Sequence, residues 1–150
     1  MRLERGSRVL ITGASRGIGA ALARNLAARG CVLGLVARGE EGVRELIASL
    51  PGDGHVALAA DVADRESIRA ATAQFGEVDL LVANAGVAHY GDWLELGEEL
   101  EAQMTEVNWL GTLHTVRAAL PGMVERGRGH VVVTSSGAAL RTFPGAAVYG

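Results

Sequence analysis

The chain has 150 residues and a formal net charge of −3; 49% of its residues are hydrophobic, 21% charged and 4% aromatic, and 21 are glycine. The apolar share is too high for a disordered chain, the glycines follow no collagen period, no apolar run nears the roughly 20 residues of a membrane helix, and no basic tract marks a nucleic-acid surface. The one cysteine, Cys31, allows neither an internal disulfide nor a cysteine metal cluster and reads as a small buried hydrophobe.

Short apolar runs at residues 9–12, 32–37, 56–60, 80–83 and 131–134 predict five strands. None alternates apolar with polar, so both faces of each are expected to be buried. Between them, residues 17–28, 40–50, 64–75 and about 98–125 place apolar side chains at helical spacing, such as Ile18, Leu22 and Leu26. Asp64 and Ser67 are candidate caps for the third helix, and Pro51-Gly52 stops the second. Strands alternating with helices predict a doubly wound α/β fold, a Rossmann-like parallel sheet in the order 3-2-1-4-5. Residues 1–150 are expected to form one domain. No basic start followed by an apolar stretch precedes residue 30, and a cytoplasmic location is expected.

The first strand runs into Thr12-Gly13-Ala14-Ser15-Arg16-Gly17-Ile18-Gly19 and directly into a helix. Glycine suits a tight turn that must let a pyrophosphate approach the backbone, and the anion then meets the free N–H groups of the helix N-terminus. A glycine triplet between a first strand and a first helix therefore predicts nucleotide binding. The second strand ends at Arg38 with no acid at its tip; Glu40 and Glu41 lie beyond Gly39. Arg38, helped by Arg16, would pair with a 2′-phosphate, which favours NADP(H) over NAD(H); the bland alternative is two solvated arginines.

Asp61-Val62 follows the third strand, where a carboxylate either accepts from an adenine amino group or caps the next turn. Asn84-Ala85-Gly86 follows the fourth strand, at the reversal of strand order. Its small residues permit close cofactor approach, and an asparagine can stitch neighbouring strand ends; an ordinary turn is the alternative. Asn108 sits with Gly111 in an otherwise apolar helix, as a functional kink or a chance polar face. Ser136 lies at the tip of the fifth strand, with Tyr149 thirteen residues on. Beside a nucleotide crevice the pair suits carbonyl reduction: a phenol gives a proton while a hydroxyl holds the oxygen. His89, Tyr90 and Trp93 follow the fourth strand and could line a pocket; His89 reads as a surface histidine.

In order and spacing these motifs resemble the short-chain dehydrogenase/reductase family over nearly the whole chain. The resemblance implies that Gly13, Gly17 and Gly19, with Ser15 and Ile18 beside them, line the pyrophosphate. It makes Arg16 and Arg38 the basic pair of NADP(H)-preferring members. Asp61 would touch adenine, and Val62, Asn84, Ala85 and Gly86 would complete the cofactor-binding set. The catalytic set it implies is Asn108, holding a water in a proton relay, Ser136, orienting the substrate oxygen, and Tyr149, the acid/base. No metal is implied. The implied partner is a small-molecule carbonyl or alcohol, with no nucleic acid and no membrane, and the parent protein would be a homo-oligomer, dimer or tetramer.

The family's fourth catalytic residue is a lysine four positions after the tyrosine; all 14 basic residues here are arginine. The sequence therefore reads as the N-terminal part of a reductase, truncated just after Tyr149 and expected to be inactive as 150 residues. The alternatives are a non-catalytic dinucleotide-binding module and a degenerate subunit. Strand 131–134 would stand at a sheet edge and helix 98–125 would bare apolar surface, so self-association is expected.

Overall fold

The computed structural model describes residues 3–141 and 143–149. Five strands, β1 (Arg8–Thr12), β2 (Val32–Ala37), β3 (Val56–Ala59), β4 (Leu80–Ala83) and β5 (His130–Val133), pair in parallel in the order β3-β2-β1-β4-β5. That is the predicted order. The predicted ends differ by one residue at β1, β3 and β5.

The missing alternation has a direct cause. Val9 and Ile11 of β1 face one core with Leu33 and Leu35 of β2, while Leu10 and Val36 face a second core with Leu58 and Leu81. Helices α1 (Gly17–Ala28) and α2 (Glu41–Ala48) cover the first face through Ala23, Leu26, Val43 and Leu46. Helix α3 (Arg65–Phe75) and the long helix ending in α5 (Gly111–Glu125) cover the second through Ile68, Phe75, Ala119 and Met123. Arg8 pins the base of β1 to the loop before β4: its amide donates to Asp79 (2.9 Å), its Nε to the Glu77 carbonyl (3.0 Å), and its guanidinium also bonds the Phe75 carbonyl while lying 4.3 Å over that ring.

Asp64 caps α3, accepting from the amides of Glu66 (2.9 Å) and Ser67 (3.2 Å), a motif worth about 1 kcal/mol. Ser67, the other predicted cap, instead accepts from the Asp61 amide at 3.3 Å. Helix α2 is shorter than the predicted 40–50. It stops at Ala48, and Ser49 turns its hydroxyl back onto the Leu46 carbonyl. The predicted helix 98–125 is continuous but not uniform. It consists of α4 (Glu98–Met104), a π-helical turn (Thr105–Leu110) and α5, which carries Pro121 in its interior without a break. No helix among the described residues is long and apolar enough to cross a membrane.

Candidate active site

The order β3-β2-β1-β4-β5 reverses between β1 and β4. The helices after β1 and β4 leave toward opposite faces there, and a crevice opens beyond the strand ends. Its seam is a compact hydrogen-bond knot. The Thr12 hydroxyl accepts from the amides of Asn84 (3.0 Å) and Ala85 (3.1 Å). Asn84 Nδ2 donates to the carbonyls of Thr12 (3.1 Å) and Gly13 (3.3 Å), and its Oδ1 accepts from the Thr134 hydroxyl (3.1 Å). Asn84 thus ties the ends of β1, β4 and β5 together. Its carboxamide is spent on protein partners, so what it offers a ligand is the position of its neighbours.

Gly13 has φ +65, and a Cβ there would stand 2.8 Å from the Ala85 Cα. At Gly19 a Cβ would stand 2.3 Å from the Gly13 carbonyl oxygen. Only glycine lets these backbones close up. The first bond into α1 is from the Ala20 amide to the Arg16 carbonyl, so the amides of Gly17, Ile18 and Gly19 precede the helical ladder. The first turn carries no acid, and Arg16 at the N-cap makes no side-chain capping bond. Free N–H groups, the positive dipole end and backbones that close up at Gly13 and Gly19 fit a pyrophosphate.

The other predicted residues line the same crevice in two groups. Toward β2 and β3 lie Ser15, Arg16, Ile18, Arg38, Asp61 and Val62. Arg16 and Arg38 are exposed and make no ion pair among the described residues; Glu40, the nearby acid, is taken by Arg44 at 2.9 Å. Asp61 accepts the Ala63 amide at 3.0 Å through Oδ1, so it caps its turn while the residue also lines the crevice. Ile18 is 68% exposed, an apolar side chain held at the crevice mouth. Toward β4 and β5 lie Asn84, Ala85, Gly86, Asn108, Ser136 and Tyr149. The whole cavity measures about 640 Å³, within the range of small-molecule sites.

Asn108 stands in the π-helical turn. Its Oδ1 accepts from the Val87 amide and its Nδ2 donates to the Val87 carbonyl, both at 2.8 Å. The π-helical turn thus carries a clamp on the strand exit. The Asn108 carbonyl accepts the Thr112 hydroxyl at 2.8 Å. Ser136 Oγ accepts from the Ala138 amide at 3.2 Å, leaving its O–H free to donate. Tyr149 rests edge-on against Tyr90 with ring centroids 5.5 Å apart, and Tyr90 stacks on Phe143 at 6.2 Å. His89 is engaged with Gln103 at 2.9 Å and is not part of the crevice lining. The Thr12 and Thr134 hydroxyls and the Val87 peptide are parts of the site that were not expected from the sequence. Small hydroxyls at strand ends and a main-chain unit carry no signal of their own.

A family model described as short chain dehydrogenase matches residues 7–150. An uncharacterized oxidoreductase of Listeria monocytogenes is 36% identical over 148 residues, covering 95% of this chain and 60% of that protein. A glycine betaine reductase of Emericella nidulans is 39% identical over 150 residues, covering 96% of this chain and 12% of that protein. Among solved structures, a variant of actinorhodin polyketide ketoreductase with NADPH superposes with a TM-score of 0.90 at 35% identity, over 96% of this chain and 58% of that one. The chain thus spans three fifths or less of the length of these relatives.

Proposed function

The chain belongs to the short-chain dehydrogenase/reductase family, and from that premise we propose that it forms the cofactor-binding and acid–base part of an oxidoreductase moving a hydride between NADP(H) and a carbonyl or alcohol. One observation carries this reading. A single crevice at the strand-order reversal is lined by Gly13 of the glycine cradle, by Arg16 and Arg38, and by Ser136 and Tyr149.

When bound, the dinucleotide supplies or accepts the hydride. The chain's own residues do the rest. Gly13, Gly17 and Gly19, with the first-turn amides of α1, bind the pyrophosphate, flanked by Ser15 and Ile18. Arg38 and Arg16 hold the 2′-phosphate, for which guanidinium is the suited group. Asp61 takes the adenine amino group on Oδ2 beside Val62, and Ala85 and Gly86 leave room for close approach. Ser136 donates its free O–H to the substrate oxygen, while Tyr149 gives that oxygen a proton in reduction and takes it back in oxidation. Asn108 acts by position. Its side chain fixes the Val87 peptide, and holding a relay water is the role that the family resemblance gives it.

Fluorescence titration with NADPH and NADH tests the cofactor reading. NADPH is expected to bind more tightly, and Arg38→Asp to erase or reverse the preference. Equal affinities in the unmutated chain would contradict it. The reaction is tested by NADPH consumption against a panel of ketones and aldehydes, using the chain and any longer product of the same reading frame. Tyr149→Phe is expected to abolish turnover, and turnover that survives the change would reassign the proton donor.

A further inference from the structure

A second concavity, of about 480 Å³, lies between α3 and α5 and shares no lining residue with the crevice. Arg65 and Arg69 reach it from α3, His114 and Arg117 from α5, and Arg126 from the residue after α5. Among the described residues no carboxylate lines it, in a chain whose net charge is −3. Glu66 pairs with Arg65 (3.5 Å) and Arg69 (3.6 Å) on the exposed rim. Arg117 and Arg126 have no acidic partner among the described residues. Arg126 is already fixed, donating to the Val78 carbonyl at 2.8 Å, and its buried Nε has no acceptor. The walls between the cations are apolar, with Ala73, Ala118 and Pro121.

We propose that this groove binds a small molecule carrying two or more phosphate groups. Guanidinium groups are the side chains best matched to phosphate oxygens. The cations come from two helices, and the backbones of Arg117 and Arg126 lie nine residues, about 13 Å of helical rise, apart, a spread that suits more than one anionic centre. The volume is that of a small-molecule site, and the apolar walls leave a surface for the organic part of such a ligand. Because the two cavities share no residue, the inference stands whether or not the crevice takes a dinucleotide.

Inorganic tripolyphosphate is the probe, titrated by calorimetry at low and moderate salt. The background is Arg16→Gln/Arg38→Gln, which removes the basic residues of the crevice. Adding Arg69→Gln/Arg117→Gln is expected to weaken binding about tenfold or more. Adding Arg24→Gln/Arg29→Gln, an equal charge change at exposed sites on and just after α1, is expected to leave it nearly unchanged. Absence of binding in the starting background would overturn the proposal, as would an equal loss from both added pairs. Tighter binding of a hexaglutamate peptide than of tripolyphosphate would also overturn it, in favour of an acidic protein partner.

Discussion

Asn84 condenses the account at the scale of one residue. Two carbonyls and a hydroxyl depend on its carboxamide, and an unmet buried acceptor costs about 1–3 kcal/mol. Asn84→Ala should therefore lower unfolding free energy by about 2 kcal/mol. Asn84→Asp should cost more, since it turns a carboxylate oxygen toward two carbonyl oxygens. Denaturant melts of both variants check the order, and an Asp variant as stable as the parent would refute the knot. Cys31 offers a test by pH. Burial pushes its thiol above the ordinary range, with Arg29 drawing it partly back. The folded thiol then holds its proton more tightly than the unfolded one, so its contribution is full below the unfolded value of 9.0 and is lost as pH rises through the raised folded value. Cys31→Ala should flatten the alkaline limb of the stability curve, and thiol reagents should label the folded parent slowly at neutral pH. Rapid labelling would contradict the burial.

At the scale of elements, most of what was legible came from runs and spacings. Unalternating apolar runs marked buried parallel strands, and Gly13, Gly17 and Gly19 between the first strand and the first helix marked the anion cradle. The π-helical turn was not legible. Asn108 signalled a departure from regular helix, but its form depends on Val87, which lies 21 residues away in sequence. The helix expected over 98–125 does run through Pro121, although a proline there removes a helical hydrogen bond and ordinarily costs about 3 kcal/mol. Asp61 was open between two roles because the carboxylate has two oxygens: one caps the turn, and the other makes no hydrogen bond among the described residues. Asn108→Ala should release the Val87 peptide and lower stability by about 1–3 kcal/mol. Hydrogen exchange should then quicken in residues 105–110. Protection unchanged from the parent would mean that the wide turn does not depend on the clamp.

For the whole molecule, two cores share one sheet, and the chain is expected to unfold as a single cooperative unit. The β5 edge is open, with Val132 and Val133 exposed, and α5 exposes Leu113, Leu120 and Val124. An apolar, β-branched edge without proline or charge invites pairing with a second copy. Light scattering coupled to size exclusion should show association rising with concentration, and Val132→Lys should suppress it; a parent that stays monomeric at tens of micromolar would contradict this. The central claim is that the strand-order reversal between β1 and β4 holds a dinucleotide, with its pyrophosphate at the N-terminus of α1. Amide chemical-shift mapping of the isotope-labelled chain with NADPH tests it most directly. Saturable shifts are expected, concentrated at residues 13–19, at Arg38 and Asp61, and at residues 84–86. The absence of saturable shifts, or shifts gathered elsewhere while those residues stay still, would contradict it.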